Sequence, residues 1–302
     1  MNKINEFYNI GQINNVSALH VKSVNKLYII DTEKEKYLLK IYIPKFRESA
    51  PLSLSAQDLI CRHLGLAPQV IRNRNNELMT HYNRSFFSLQ QYISGYNFLL
   101  NENTIDIYIN AINSLHKLLS KTYKKMLVET KEKELTKYDL EDLVKNSRVK
   151  YDTLGIKNTT YEELIDFRYR ITKNIQSLSY SVNYKTIIHG DIRPSNIIYD
   201  GDSINFIDFD YLSNGDLLYE LASSITLLSQ FNEQVCRKFW ERYNNSQHIP
   251  LSFEDLYRHL LSYYLKSSFP LNILSYESKE QIDTMSLERI KLIKFCYKII
   301  NP

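Results

Sequence analysis

The sequence predicts an α+β fold in which a small antiparallel sheet with one helix precedes a larger, mostly helical region. Two patterns indicate this. β-Favouring residues alternate with turn residues as far as Ile93, and apolar residues recur at helical spacing after Gly95. The 302 residues can bury a substantial core, and a hydrophobic share of 43% excludes intrinsic disorder. We therefore expect two lobes, residues 1–93 and residues 94–302.

Strands and a single helix are expected in the first lobe. Its first two strands form a hairpin, because a charged turn separates two runs rich in Ile, Leu and Tyr. The helix covers about Ser53–Leu64 and ends at Gly65, with Pro68 soon after it. Asn83 and Arg84 make the turn between the last two strands. The strands are predicted near 27–30, 37–42, 77–82 and 86–93.

The second lobe is predicted to be helical, with one exception near its middle. Its first helix is capped by Thr104, after which apolar residues recur three or four positions apart as far as Leu119. The charged stretch from Lys124 to Lys150 alternates in sign and is typical of a solvated helical surface. Ser252 begins a near capping box ahead of another helix. Later helices are predicted near 216–230, 233–245, 253–267 and 286–299.

Composition and charge exclude several classes of protein. The 38 basic and 34 acidic residues alternate along the chain, whereas nucleic-acid-binding proteins gather their positive charge on one segment. No apolar run approaches about 18 residues, so we expect no membrane span. The first residues lack the apolar core of a secretory signal. Three widely spaced cysteines argue against a disulfide framework or a zinc site. We expect a cytoplasmic protein that is a monomer or a weak homodimer.

The exception within the helical half is the segment from Thr186 to Asp210. Two short apolar runs, 197–199 and 204–207, flank Asp200-Gly201, which is typical of a hairpin turn. This segment therefore predicts a pair of strands inside an otherwise helical lobe.

Three oxygen-bearing side chains converge at the open end of this hairpin. Asn196 enters the first strand, Asp208 leaves the second, and Asp191 lies on the loop just before Asn196. Such side chains suit Mg²⁺, which binds one or two protein groups together with substrate phosphates. A carboxylate for an acceptor hydroxyl, with an amide and a carboxylate for the metal, is what phosphoryl transfer needs.

The segment resembles the aminoglycoside phosphotransferase and choline kinase superfamily, relatives of protein kinases. The family motifs H-G-D-x-x-x-x-N and I-D-[FW]-[DE] match His189–Asn196 and Ile207–Asp210 with every spacing kept. Gly215–Ala222 resembles the start of the helix that follows in that family. The resemblance implies a bilobal protein-kinase-like fold. It also implies that Asp191 is catalytic and that Asn196 and Asp208 hold Mg²⁺.

The segment and the helix start that follows it contain four further residues for which a role is expected. Arg193, placed with the catalytic residues, either offsets charge on the transferred phosphate or pairs with a nearby carboxylate. His189 is expected to support the loop through hydrogen bonds, and Gly190 to permit a backbone shape that a Cβ would obstruct. Asp216 either caps the next helix or organises the site.

The resemblance further implies a nucleotide site in the first lobe. Lys40, a charge within an apolar strand, matches the lysine that grips the nucleotide phosphates, and its burial requires an anionic partner. The helix that usually supplies a glutamate has none at the expected positions. Asp58 or Glu48 replaces it, or neither does.

The remaining nucleotide contacts are assigned by position. The loop expected over the phosphates has no glycine, and Ser23 and Asn25 are its candidate contacts. The linker between the lobes, expected to hold adenine through its backbone, consists of Gln91, Tyr92 and Ile93. His116 lies in an L-H-x-L pattern and is expected to be packed and hydrogen-bonded.

Three functional hypotheses follow. The first is a phosphotransferase that uses ATP or GTP and Mg²⁺ to phosphorylate a hydroxyl of a small molecule such as an aminoglycoside or other antibiotic, an amino alcohol or a sugar. The second is a protein-modifying kinase, which the absence of an Ala-Pro-Glu segment after Asp208 disfavours. The third is an inactive nucleotide-binding relative. The intact Asp191, Asn196 and Asp208 disfavour the third.

Aromatic residues of the helical lobe leave the acceptor open. They either pack between helices or form a cage for a quaternary ammonium group. The residues concerned are Trp240, Tyr243, Tyr257, Tyr263 and Tyr264.

Overall fold

The computed structural model describes residues 4–21, 23, 25–123, 159–174, 184–247, 251–266 and 279–301. It confirms the predicted α+β class, because an antiparallel N-terminal sheet precedes a helical C-terminal region. The charged stretch at 124–150 lies outside the described residues. Within them, no helix combines the length and the apolar character that crossing a membrane requires.

The N-terminal sheet has six antiparallel strands. They are β1 (Ile13–Ala18), β2 (Lys26–Thr32), β3 (Lys36–Tyr42), β4 (Val70–Ile71), β5 (Thr80–Tyr82) and β6 (Ser85–Gln91). Their order is β1-β2-β3-β6-β4, with β5 also paired to β6. In β3, Lys40 lies opposite Leu27 of β2 and Ser88 of β6. The strand that carries Lys40 is therefore central, and its lysine is buried.

Alternation along β3 assigns its residues to two faces of the sheet. Tyr37 and Leu39 belong to a core cluster with the N-terminal residues Ile4, Tyr8 and Ile10. The short helix α1 (Ile4–Phe7) begins that covering segment. Tyr42 belongs to a second cluster with Ala50 and Leu54 of the helix α2 (Ala50–Leu64). Lys40 shares the register of Tyr42 and therefore lies on the face covered by α2.

Two predicted boundaries in this region hold, and one shifts. Gly65 ends α2 with a φ of 66°, and its N–H donates to the carbonyl of Cys61. Asn83 and Arg84 both adopt positive φ in the turn between β5 and β6. Glu77 does not begin a strand, because its N–H donates to the Asn73 side chain at 2.9 Å and holds a turn instead.

The later elements comprise short strands and six helices among the described residues. The strands are β7 (Tyr96–Asn97), β8 (Lys185–Ile188), β9 (Ile197–Tyr199), β10 (Ile204–Phe206) and β11 (Ser213–Asp216). The first helix is α3 (Ile105–Thr122), and the others are α4 (Thr159–Asn174), α5 (Leu217–Leu228), α6 (Glu233–Gln247), α7 (Phe253–Lys266) and α8 (Lys279–Ile300). β7 and β10 flank β9, and β8 pairs with β11.

Two predicted helix caps have different outcomes. Ser252 and Asp255 form the near capping box, since the Asp255 N–H donates to the Ser252 hydroxyl at 3.0 Å and the Ser252 N–H to the Asp255 carboxylate at 3.3 Å. Thr104 is the N-cap residue of α3, as predicted, but its side chain donates or accepts no hydrogen bond within the helix. Its hydroxyl bonds the Leu99 carbonyl and the Asn101 N–H, so it secures the preceding loop.

The chain divides into two compact units. The first contains the N-terminal sheet, α2, α3, β7–β11 and the first turn of α5. The second contains α4, α6, α7, α8 and the middle of α5. The lobe boundary between residues 93 and 94 stays a prediction.

In the second unit, four of the five aromatic residues considered for a cage are packed into the core. Trp240, Tyr243, Tyr257 and Tyr264 are each exposed by 4% or less. Trp240 donates to the Leu251 carbonyl, so its indole is satisfied within the protein. The packing interpretation therefore applies to these four.

Candidate active site

Asp191 lies on the loop after β8, and its carboxylate is held from two sides. One oxygen accepts from Arg193 Nε at 2.9 Å, and the other accepts from Asn196 Nδ2 at 2.8 Å. Asn196 Nδ2 also donates to the Asp191 carbonyl at 2.9 Å. The Asp191 side chain is 28% exposed and therefore accessible to a solute. Its orientation is set by the protein before any ligand binds.

The contact of Arg193 answers one question that the sequence left open. Of the two roles considered, pairing with a nearby carboxylate is present, and that carboxylate belongs to Asp191 itself. A role toward a transferred phosphate stays a prediction.

The predicted hairpin joins Asn196 to Asp208. β9 pairs antiparallel with β10, and the loop between them has four residues, 200–203, which begin with the predicted turn residues Asp200 and Gly201. The Asp200 carboxylate accepts the N–H groups of Asp202 and Ser203 and so closes the longer turn. At the open end, the Ile207 N–H donates to the Asn196 carbonyl at 3.0 Å. Asn196 and Asp208 therefore flank the same end of the hairpin, as predicted.

Asp208 connects this hairpin to the N-terminal sheet. Its backbone has φ 64° and ψ 66°, a left-handed conformation that few residues other than glycine adopt. Lys40 Nζ lies 2.6 Å from an Asp208 oxygen and 2.7 Å from an Asp210 oxygen. The anionic partner expected for the buried Lys40 is thus present, and it consists of two carboxylates.

The two helix acids considered for Lys40 are placed elsewhere. Asp58 forms ion pairs with Arg62 at 2.9 Å and Arg72 at 2.8 Å. Glu48 is exposed, whereas Lys40 is buried. Among the described residues, the carboxylates at Lys40 are those of Asp208 and Asp210.

Mutual electrostatics sets the charge state of this cluster. Burial alone would lower the pKa of Lys40, but the charges of Asp208 and Asp210 outweigh it and raise that pKa above its ordinary value. Burial opposes the ionisation of Asp208, yet the Lys40 charge lowers the pKa of this carboxyl. Burial raises the pKa of Asp210, and the neighbouring Asp208 charge adds to the effect. Lys40 is therefore a permanent cation, and Asp208 is the more readily ionised carboxyl.

The loop before β2 contacts the same cluster through Asn25. Asn25 Nδ2 donates to Asp210 at 2.6 Å, its Oδ1 accepts the Ile43 N–H at 3.0 Å, and its own N–H donates to the Ser23 hydroxyl at 3.2 Å. Asn25 is buried, and both ends of its amide bond the protein. Nucleotide contacts by Ser23 and Asn25 stay predictions.

The predicted adenine linker follows β6 directly. The Gln91 N–H donates to the Gln69 carbonyl at 2.8 Å, and the Tyr92 N–H donates to the Lys36 carbonyl at 3.0 Å. Ile93 is half-buried and comes next along the chain. These bonds anchor the linker to the sheet.

The chain also matches the model of a known protein family. The model of the phosphotransferase enzyme family (APH) matches residues 17–250, more than half of the chain. The chain belongs to this family. A comparison with curated proteins found no match.

Solved structures of other phosphotransferases share the fold. The chain is similar to the amicoumacin kinase hAmiN in complex with AMP-PNP, Ca²⁺ and Ami, with a TM-score of 0.62, 14% identity and coverage of 99% of this chain and 92% of that chain. Choline kinase LicA from Streptococcus pneumoniae has a TM-score of 0.59 and 16% identity, with 94% of each chain covered. Spectinomycin phosphotransferase APH(9)-Ia in complex with ADP and its antibiotic has a TM-score of 0.54 and 14% identity, with 100% of this chain and 93% of that chain covered. At these identities the likeness concerns the fold alone, and it confirms the predicted kinase-like fold.

Sequence reasoning missed one residue of the candidate site, Glu220. It lies in the first turn of α5 with its side chain 2% exposed. Its carboxylate accepts from the Gly190 N–H at 2.6 Å, the His189 N–H at 3.2 Å and His116 Nε2 at 2.7 Å. Burial would raise the pKa of Glu220, but these bonds and the histidines outweigh it and lower that pKa. A buried anion thus anchors the loop that leads to Asp191.

A signal for Glu220 was available in the sequence. Glu220 follows an apolar helix start, and His116 lies on the buried, otherwise apolar face of α3. Such polar residues need partners when they are buried. The sequence did not indicate that each is the partner of the other, because 104 positions separate them.

The other residues expected to support the Asp191 loop have the predicted contacts. His189 bonds the Ile207 carbonyl through Nε2 at 3.0 Å, which confirms its supporting role. His116 is packed and hydrogen-bonded. Asp216 accepts the Tyr219 N–H at 2.9 Å and so caps α5, the first of the two roles considered for it.

The residues at the open end of the hairpin also fit a metal ion that bridges phosphates. Asn196 turns its amide nitrogen toward Asp191, which leaves Oδ1 as its ligand atom. The Asp208 side chain is 36% exposed, compared with 5% for Asp210, so Asp208 is the carboxylate that a nucleotide-bound metal can reach. In the part of the chain that the structure describes, no three His, Cys, Asp or Glu side chains group for a metal. One amide oxygen and one carboxylate are ligands of the kind that Mg²⁺ takes, and the metal role of Asn196 and Asp208 stays a prediction.

Replacing Gly190 by alanine is expected to destabilise the protein more than replacing Gly65. Both glycines have positive φ, 85° and 66°, so alanine is strained at either position. Around Gly65 an added Cβ meets nothing within 4 Å, whereas at Gly190 it would collide with the carbonyl oxygen of Tyr211. We expect Gly190→Ala to cost about 1–3 kcal/mol more than the matched Gly65→Ala variant, because backbone must move. Urea unfolding of both variants measures the difference, and equal losses would contradict it.

Proposed function

We propose that the chain is a kinase that transfers the γ-phosphate of ATP, or of GTP, to a hydroxyl group of a small molecule, with Mg²⁺. The observation that supports it most directly is the Asp191 carboxylate, held between Arg193 and Asn196 and still accessible. An oriented carboxylate beside a metal-binding amide is the arrangement that phosphoryl transfer uses. The carboxylate lies within the segment 185–220, which consists of β8–β11 and the first turn of α5.

Each residue has a role in this proposal. Asp191 orients the acceptor hydroxyl and accepts its proton as the oxygen attacks phosphorus. Asn196 Oδ1 and Asp208 would hold Mg²⁺, which neutralises charge on the phosphates when it is bound. Lys40, permanently charged, grips the phosphates of the nucleotide. Arg193, beside Asp191, lies where a guanidinium can offset charge on the transferred group.

The nucleotide base is assigned to the linker. The Gln91 and Tyr92 N–H groups already bond the protein, so the Ile93 N–H is the donor that we propose for adenine, with the Gln91 carbonyl as the acceptor. Ser23 and Asn25 belong to the loop that lies near the phosphates in this proposal. ATP and GTP differ at the edge that such a linker contacts, so both must be tested.

The names of the similar structures support a small-molecule acceptor. They include a choline kinase, an amicoumacin kinase and a spectinomycin phosphotransferase. We place the acceptor in the same broad class, a hydroxyl of an antibiotic, an amino alcohol or a sugar, and the protein in the cytoplasm.

A screen of ATP consumption tests the proposal. The purified protein is incubated with ATP or GTP and Mg²⁺ against aminoglycosides, macrolides, choline, homoserine and sugars, and the Asp191→Ala variant serves as the background. Consumption above that background with at least one small acceptor supports the proposal. Nucleotide binding without transfer to any acceptor would favour an inactive relative, and transfer only to added protein would favour a protein-modifying kinase.

Asp208→Asn is expected to weaken metal-dependent nucleotide binding about tenfold or more. The substitution keeps the shape of the side chain but removes the charge that attracts both Mg²⁺ and Lys40. Calorimetric titration of ATP at increasing Mg²⁺ measures the effect. The exposed Asp202→Asn variant, on the turn of the same hairpin, is the matched control. Equal Mg²⁺ dependence in the two variants would exclude the metal role of Asp208.

A further inference from the structure

Asp208 and Asp210 both bond Lys40, but their surroundings differ. The side chain of Asp208 is 36% exposed, and that of Asp210 only 5%. A carboxylate as enclosed as Asp210 is poorly placed to bind metal or phosphate directly. Its bond to Lys40 at 2.7 Å must therefore serve another purpose.

Asn25 holds the second oxygen of Asp210. Its Nδ2 lies 2.6 Å from Asp210 Oδ2, while Asp210 Oδ1 contacts Lys40. Asn25 is itself fixed, because its Oδ1 accepts the Ile43 N–H, just beyond the end of β3. The side-chain amide of Asn25 thus orients the carboxylate of Asp210, and this carboxylate in turn orients the ammonium group of Lys40.

The helix that would otherwise supply an acid is occupied with different partners. Gln57 of α2 donates to the Pro68 carbonyl at 2.9 Å and to the Gln90 side chain at 3.0 Å. Asp58, the next residue, pairs with Arg62 and Arg72. The face of the sheet under α2 therefore presents neutral amides where an acid for Lys40 was sought.

We propose that Asp210 is the positioning residue of Lys40, taking the place of a helix carboxylate, and that Asn25 aligns Asp210 for this task. The inference rests on the proposed function, in which Lys40 grips the nucleotide. A lysine that bonds Asp208 alone would follow that residue when it turns to the metal. With Asp210 as a second and enclosed partner, Lys40 keeps its position while Asp208 binds. The same bonds tie the glycine-free loop at Asn25 to the lysine.

The matched variants are Asp210→Asn and Asp58→Asn. Each replaces a buried carboxylate by an amide of the same shape, and the two carboxylates are the competing candidates for supporting Lys40. Calorimetry with ATP and Mg²⁺ measures nucleotide affinity. We expect the Kd for ATP to rise about tenfold or more in Asp210→Asn, since a charge-assisted hydrogen bond is lost. In Asp58→Asn we expect the Kd to stay within about twofold of wild type, because Asp58 pairs with Arg62 and Arg72 and not with Lys40.

A double substitution separates positioning from a general structural effect. If Asp210 acts through Lys40, adding Asp210→Asn to Lys40→Met changes the Kd for ATP by about twofold at most, because the coupled partner is already gone. Additive losses would overturn the inference. Should Asp210→Asn not fold, Asn25→Ala leaves the carboxylate in place without its aligning bond, and an unchanged Kd in that variant would equally overturn it.

Failure of this inference differs from failure of the proposed function. A wild-type protein that binds neither ATP nor GTP with Mg²⁺ would refute the function. A wild type that binds ATP, with Asp210→Asn unchanged or with Asp58→Asn the weaker binder, would refute only the role of Asp210.

Discussion

Asp191→Ala is expected to abolish phosphoryl transfer while nucleotide and Mg²⁺ still bind. The variant removes the group that orients the acceptor hydroxyl and takes its proton, and a positioned base of this kind contributes about 10²–10⁴-fold to the rate. Asn196 and Arg193 lose one partner each, but the ion pairs of Lys40 do not involve Asp191. We therefore expect a fall in kcat of about a thousandfold, with the Kd for ATP nearly unchanged.

Single-turnover rates and calorimetry on the same preparations separate the two effects. Asp191→Asn is the matched control for shape, because it keeps the side chain and removes only the charge and the basicity. We expect it to be as inactive as the alanine variant. If either variant transferred phosphate as fast as wild type, the catalytic role of Asp191 would be excluded.

Glu220→Ala is expected to give the largest loss of stability. The carboxylate is buried and accepts bonds from His116 and from the backbone of His189 and Gly190, so its removal leaves three donors without that partner. Leaving a buried hydrogen-bond donor without its partner costs about 1–3 kcal/mol for each group. For a chain of this size, the thermal midpoint should fall by roughly 10 °C. The loop that carries Asp191 loosens at the same time, so activity falls as well.

Glu233→Ala is the matched control, because it removes another glutamate from the first turn of a helix. Glu233 pairs with Arg237 at the surface, where an ion pair contributes about 1 kcal/mol or less. Thermal unfolding of both variants measures the contrast. Equal midpoints would mean that Glu220 is not the anchor of the loop.

Glu220 also gives the protein a dependence on acid. Its pKa is lowered in the folded state, so its ionised form stabilises the fold above the ordinary value of about 4.5, and this contribution is lost as the pH falls below it. Below that pH, the free energy of unfolding of Glu220→Gln should therefore decrease less with falling pH than that of the wild type. The comparison needs only urea unfolding at several pH values.

Much of the fold could be predicted from the sequence because its signals are short-range. The β2–β3 hairpin, the end of α2 at Gly65 and the capping box at Ser252 each depend on residues within a few positions of one another. The predicted start of a strand at Glu77 was wrong for a local reason too, because the Asn73 side chain accepts the Glu77 N–H and the strand begins only at Thr80. Local competition of this kind is hard to weigh without the surrounding structure.

By itself, the sequence indicated Asp191, Asn196, Asp208 and Lys40 as the candidate site residues. It also indicated that a hairpin brings Asn196 and Asp208 to one end, beside the loop of Asp191. It did so because spacing and turn residues act over short distances along the chain. Only the tertiary structure decided which polar side chains bond one another. Lys40 bonds Asp210, which lies 170 positions later in the sequence, and Asn25 bonds the same residue 185 positions away. His116 bonds Glu220, which lies 104 positions later. Such pairings depend on how distant segments pack, and residue types alone leave every acid near the site as an equal candidate for each base.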